Sequence, residues 1–245
     1  MNDHSEWYWD HVNASLEVLD FISGDGITVV NQNVVDIGSG DGILTAAFAE
    51  RSQCAQAIGI DINPVNEDAL LAYRLDYESL DSLPNSLTFV ESSPFEIPLP
   101  SQSTDLVISW SAFEHIANPL LMLREIERIL KPDGNLFLQL YPFFYSQHGG
   151  HLHEWFPQGF VDLCEDVVKQ RLLSENSDAS LTKLTDYAEL NRIEPTDLFN
   201  DLHTAGLEIR KIELLSHAVH IPEHTPPSEV LRRTIGGVKF IANKA

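Results

Sequence analysis

Between residues 34 and 51 the chain reads VVDIGSGDGILTAAFAER: a short apolar run, a loop with three glycines in five positions, then a stretch of helical character. A short apolar run closed by glycine is the mark of a strand buried on both faces. A strand that passes at once into a helix favours βαβ packing, because the helix must cover the sheet it has just left. The alternation continues downstream. AIGIDIN (57–63), SLTFVES (86–92), TDLVISW (104–110) and NLFLQLY (135–141) read as buried strands. Residues 66–78 and the amphipathic PLLMLREIERIL (119–130), stopped by KPDG, read as helices. The pattern predicts an α/β fold, Rossmann-like, with a mostly parallel sheet and helices on both faces.

The flanks complete this picture. Trp7, Trp9, Val12, Leu16 and Leu19 recur at helical spacing, predicting a helix over about 5–22 that covers one edge. Residues 142–192 are rich in histidine, aromatic and polar residues, and read as a lid inserted after the fifth strand. PTDLFNDLHTAGLEIRKIELLS then restores helix, glycine stop and strand, and GGVKFIANKA supplies a seventh strand. The expected organisation is a helical cover over 1–30, a core over 31–141, a lid over 142–192 and the rest of the core over 193–245.

Composition narrows the partners. The 37 acidic and 15 basic residues give a formal charge of −22. Such a field repels phosphate backbones and anionic lipid, and no basic patch offsets it, so nucleic acid is not expected. MNDHSEWYWD has neither a basic nor an apolar leader region, and no run reaches the length of a membrane span; the expected location is cytoplasmic. Cys54 and Cys164 are too few for a disulfide framework and are expected as buried thiols. A homodimer is a possible assembly.

The glycine loop offers backbone amides at a helix start, where glycines admit a close ligand. In Gly38-Ser39-Gly40-Asp41-Gly42 the third glycine falls one residue early for a dinucleotide loop. Asp36 and Asp41 would repel a pyrophosphate and suit a ligand with a cationic end. Asp41 is equally suited to capping the helix that follows. Asp61, ending the second strand, can accept both hydroxyl protons of a ribose. These segments, with FEIPLPSQSTDLVISWSAFEHIANP and LREIERILKPDGNLFLQ, resemble the class I S-adenosylmethionine-dependent methyltransferases, in the small-molecule branch that includes quinone-biosynthesis-type enzymes. The likeness runs over about 33–141, more weakly near 196–215. It implies S-adenosylmethionine as cofactor, with Asp36, Gly38, Ser39 and Gly40 around its tail, Asp61 on the ribose, and Ile62 and Asn63 beside the adenine. In the loop after the third strand, Ser93 or a backbone group beside Pro94 is expected to contact the adenine, with Phe95 against the ring, and Ser109 and Trp110 at the end of the fourth strand complete the expected cofactor contacts. The family's adenine-contacting aspartate is missing here, where Ser92-Ser93-Pro94-Phe95 stands, and Asp133 replaces the commoner glycine of the LKPGG turn.

Methyl transfer to a hydroxyl also needs a base or a metal. Three groups fall after strands on the rim expected to hold the ligand: Glu114 and His115; His148, His151, His153 and Glu154; and His217, His220 and His224. His115 suits structural capping as well as catalysis. His151 and His153, two apart, would face one way in extended chain, which fits a base with a helper or two ligands of a divalent metal. His151, His153, His115 and Glu114 are the catalytic candidates, and no metal site is assigned. A lid without lysine or arginine up to Lys169 suits a small, neutral, polyhydroxylated acceptor such as a sugar. Two alternatives stay open. One is C- or N-methylation of a quinone precursor, lipid or other metabolite against Phe143, Phe144, Trp155 and Phe156. The other is a cofactor-binding protein without catalysis.

Overall fold

The computed structural model describes residues 3–146, 148–157, 159–216, 221 and 223–245. His217 and His220 lie outside the described residues. The core alternates β1 (Asn33–Ile37), α2 (Ile43–Ser52), β2 (Gln56–Asp61), α3 (Glu67–Glu78), β3 (Leu87–Glu91), β4 (Thr104–Trp110), α4 (Pro119–Ile129) and β5 (Leu130–Leu140), after a first helix α1 (Asp3–Ser23). Then come α5 (Glu165–Glu175), α6 (Asp178–Glu189), α7 (Pro195–Thr204), β6 (Leu207–Ser216), α8 (Pro227–Thr234) and β7 (Ile235–Lys244).

The seven strands form one sheet in the order β3-β2-β1-β4-β5-β7-β6. The first five are parallel; β7 runs antiparallel to both β5 and β6. Strand order reverses between β1 and β4, which leaves a crevice beyond their carboxyl ends. The register there, Asp36↔Gly59 and Asp36↔Ile108, places Asp36 near that crevice.

Apolar periodicity explains the layers. On one face Val18 and Ile22 of α1 and Phe48 of α2 meet Val34, Ile108, Phe137 and Ile241. On the other, Leu123, Ile126 and Ile129 of α4 and Leu198 and Leu202 of α7 meet Val35, Val107, Leu138 and Phe240. Helix starts are fixed by side chains: Asn66 Oδ1 accepts from the Ala69 amide, and Asn118 Oδ1 from the Leu121 amide ahead of Pro119. The lid has its own core of Phe144, Leu152, Phe160, Val168, Leu172 and Tyr187.

Three expectations need correction. Cys164 is exposed, at the start of α5, whereas Cys54 is buried as expected. The KPDG segment is more than a turn: β5 begins at Leu130, and pairing jumps from Thr104↔Leu130 to Leu106↔Asn135 around it. Lys131 there holds Asp105 through both carboxylate oxygens at 2.7 and 2.8 Å, while the Asn33 amide donates to Asp105, so this acid fixes the sheet's far end. The phenylalanines offered as an acceptor wall, Phe143 and Phe144, are core residues at 2% and 5% exposure. No described helix is long and apolar enough to cross a membrane.

Candidate active site

The loop after β1 takes a left-handed backbone at Gly38, Gly40 and Gly42, with φ of 77°, 55° and 80°. A β-carbon at Gly38 would come within 2.4 Å of that of Ala112; one at Gly42 would meet Phe89 at 2.6 Å. Glycine is thus needed for conformation and for space. Asp41 accepts from the Ile43 amide at 3.1 Å and from the Trp7 indole at 2.7 Å. It therefore satisfies the first amide of α2 from the residue before the N-cap, Gly42, and ties α1 across the loop.

Asp61, at the end of β2, accepts from the Gly40 amide at 2.9 Å and the Asn63 amide at 3.0 Å. Each oxygen keeps lone pairs for a further donor, which is what a pair of ribose hydroxyls supplies. Around it lies a cavity of about 470 Å³ lined by Gly38, Asp61, Ile62, Asn63, Ser93, Pro94, Ile97 and Met122, among others. Ile97 and Met122 give it an apolar floor. Phe95, 58% exposed, is not in that lining; its amide donates to Ser93 Oγ instead.

A second cavity of about 480 Å³ shares Gly38, Gly40, Ser111 and His115 with the first. One end is built from Asp36, Ser39, Asp41 and Trp110, roofed by Trp7 and His11 of α1. The His11 ring sits 4.2 Å from that of Trp7 and 5.2 Å from that of Trp110. Asp36 is buried and accepts from the Thr45 hydroxyl at 2.5 Å. Burial pushes its pKa up to about 7; Thr45 opposes this, while Asp61 and Asp41 add to it. A buried acid raised so far gains most from a cationic ligand. Ser39 Oγ, also buried, has no protein partner.

The other end holds Glu114, His115, Tyr141, His151, Lys183 and Asp186. Glu114 and His115 sit on a single 3-10 turn, Phe113–His115, directly after β4. Asn191, where the lid rejoins the core, clamps this turn: its Nδ2 donates to the Phe113 and Ile116 carbonyls at 2.8 Å each, and its amide to the Glu114 carbonyl. His151 arrives from the lid with φ of 54°, uncommon for a residue other than glycine. Its ring stacks on that of His115 at 5.4 Å. Donor atoms of Glu114, His115 and His151 all lie within 4.8 Å of one another. Burial raises the Glu114 pKa to about 8 and lowers that of His151 to about 4, the latter helped by His115 and Lys183. Lost hydration also lowers His115, against the pull of Asp186. Lys183, missed by the sequence argument, is paired with Asp186 at 3.1 Å, so this cation arrives neutralised.

Besides Phe95, two candidates fall outside both cavities. His153 is exposed and packs on His148 at 5.1 Å, because Gly150 and His151 turn the chain where extension was expected; it cannot serve beside His151 as helper or co-ligand. Ser109 is fully buried, its hydroxyl donating to the Ile37 carbonyl at 3.0 Å; Ser111 lines the cavities in its place. Trp7, His11, Tyr141 and Lys183 were missed. Only Trp7, on the amphipathic first helix, gave any linear signal.

Residues 35–138 match a family described as a methyltransferase domain. An uncharacterised methyltransferase of Mycobacterium leprae is 28% identical over 131 residues, 54% of this chain and 45% of that protein. A ubiquinone biosynthesis O-methyltransferase of Xanthomonas campestris is 32% identical over 120 residues, 49% of this chain and 47% of that one. The chain thus spans about half the length of the curated relatives it matches. In fold it is similar to a SAM-dependent methyltransferase from Aquifex aeolicus, with a TM-score of 0.53, 13% identity, and 92% and 89% of the two chains covered.

Proposed function

We propose that this chain is a class I S-adenosylmethionine-dependent methyltransferase that transfers a methyl group to a hydroxyl of a small, neutral, polyhydroxylated acceptor such as a sugar. The observation that carries this reading is the pair of cavities meeting at Gly38 and Gly40. One matches a nucleoside, with an acid for the ribose and an apolar floor for the base. The other matches a cationic amino-acid tail at Asp36 and continues into a polar chamber at Glu114, His115 and His151. The acceptor's polarity is argued from that chamber. Its acid, histidines, tyrosine and neutralised Lys183–Asp186 pair offer hydrogen bonds without net attraction for an anion. Phe143 and Phe144 are spent on the core, which disfavours a greasy acceptor.

Chemically the step is an in-line displacement. The acceptor oxygen forms a bond to the methyl carbon, the carbon–sulfur bond breaks, and its electron pair returns to sulfur as a neutral thioether. Positioning supplies most of the acceleration, because the leaving group is already good. The hydroxyl must also lose its proton, and the Glu114–His115–His151 cluster is where we place that activation. Asp36 stabilises the tail while the α1 residues Trp7 and His11 cover it. Substrate, location and assembly are part of this proposal: a small acceptor, the cytoplasm and a possible homodimer.

The test is incubation with methyl-labelled S-adenosylmethionine and a panel of sugars, polyols and quinone precursors, read by mass spectrometry. Label in a polyol, lost in the Glu114→Gln variant, is expected. Label in the quinone precursors alone would replace the acceptor assignment. Failure of the donor to bind in calorimetry would overturn the enzymatic reading altogether.

A further inference from the structure

We infer that Glu114, His115 and His151 form a binding site for one divalent transition-metal cation, with the acceptor's oxygen completing its ligand set. The second half rests on the methyltransferase reading; the cation site does not.

Three independent observations converge. The first is proximity: three ligand-type side chains from two separate segments bring donor atoms within 4.8 Å of one another. Around one cation with bonds of about 2.1 Å, neighbouring donors stand roughly 3.0–3.5 Å apart. Side-chain rotations closing the widest pair by roughly 1.3–1.8 Å suffice. The second is an unmet need. Glu114 Oε2 and His151 Nε2 are both buried and have no hydrogen-bond partner. Glu114 itself is only 3% exposed. Buried polar atoms are almost always partnered, since leaving one bare costs about 1–3 kcal/mol. One cation satisfies both at once. The third is support from behind. Asn191 fixes the turn that carries Glu114 and His115, and the left-handed residue at 151 aims its ring at the same point. Metal sites depend on such outer bonds to hold the ligands in register.

The donor set selects the ion. Two imidazole nitrogens and one carboxylate oxygen suit zinc, cobalt, iron or manganese better than magnesium or calcium, which prefer all-oxygen shells. Two histidines and one carboxylate also leave coordination positions open. They face the cavity, because all three residues line it and His115 is exposed at its mouth. An acceptor hydroxyl bound there becomes more acidic. With a cation held by Glu114, His115 and His151, the hydroxyl proton would pass to water through the open side, leaving the acceptor oxygen free to displace the thioether from the methyl group. The cation thereby explains how the chamber activates a hydroxyl although neither histidine need act as the base.

The test uses the whole chain, stripped with a chelator and titrated with Co²⁺, followed by visible absorption and by calorimetry. The expected result is one Co²⁺ per chain. Glu114→Gln and His151→Ala should each weaken uptake at least tenfold, and His153→Ala should leave it unchanged. S-adenosylmethionine binding, measured on the same samples, reports that each variant is folded. Absence of stoichiometric uptake by the wild-type chain overturns the site, as does undiminished uptake in the two variants or equal loss in His153→Ala. Uptake without S-adenosylmethionine binding would keep the site and remove the methyltransferase reading. Uptake with methyl transfer unaffected by chelator would remove the metal's part in activation.

Discussion

Replacing Asp36 by asparagine should stabilise the empty protein and loosen its hold on a cation, by amounts that depend on pH. The carboxyl is 3% exposed, with Thr45 as its hydrogen-bond donor, and burial moves its pKa from 3.8 to about 7. A raised native pKa means that the unfolded chain ionises first. Between those two values the unfolded state carries the charge and the folded state does not. Stability from this group is therefore fully present below pH 4, falls by about 1.4 kcal/mol per pH unit as the pH rises, and levels off above about 7. The ceiling of the loss is roughly 4 kcal/mol. Asparagine cannot ionise, so the Asp36→Asn variant lacks the slope. Urea unfolding of both proteins at pH 5 and pH 8 isolates it, since Glu78, Glu125 and Asp162, lowered by their own partners, titrate alike in both. The variant's advantage should be larger at pH 8 than at pH 5 by about 2–3 kcal/mol. S-adenosylmethionine affinity should run the other way. It should rise with pH towards 7 in the wild type, and stay lower and flatter in the variant. An advantage that does not change with pH, or a variant less stable at pH 8, would refute the reasoning.

Other perturbations probe neighbouring parts. Asp61→Ala removes a charged acceptor for the ribose, and two such bonds at about 1.5–3 kcal/mol each imply a loss in cofactor affinity of about 100-fold or more; calorimetry showing unchanged affinity would remove Asp61 from the site. Gly42→Ala forces a left-handed alanine with its β-carbon 2.6 Å from Phe89, and urea midpoints should show a loss of about 2–5 kcal/mol. Trp7→Ala should leave stability within about 1 kcal/mol, because the ring is an exposed cover, yet weaken cofactor binding several-fold by freeing Asp41.

How much the sequence revealed depends on how local each determinant is. The five parallel strands and their helices were legible because each carries its own apolar period, and the loop at 38–42 because its glycines are required by backbone geometry. Asp61 was legible from its place at a strand end. The antiparallel course of β7 was not, since pairing direction is fixed by partners far along the chain. His153 was misplaced for a local reason: residues two apart share a face only in extended chain, and Gly150 with His151 bends it. Ser109 was misplaced because period alone does not say which hydroxyl is spent between strands. Lys183 and Asp186 reach the chamber from a helix more than thirty residues after the histidines, and no spacing rule links them. The Glu114–His115–His151 grouping needed the tertiary fold, although each member stood out singly.

The position of β7 also bears on how the chain is assembled. β6 reaches the sheet only through β7, which follows it in the chain. Until residues 235–244 emerge from the ribosome, β6 has no strand to join, and Leu136, Leu138 and Leu140 keep a free backbone edge beside them. Sheet edges of that kind recruit other chains. The side of β5 that faces β7 is therefore protected only by a segment made after β6, so any molecule lacking residues 235–244 would expose that edge to other chains.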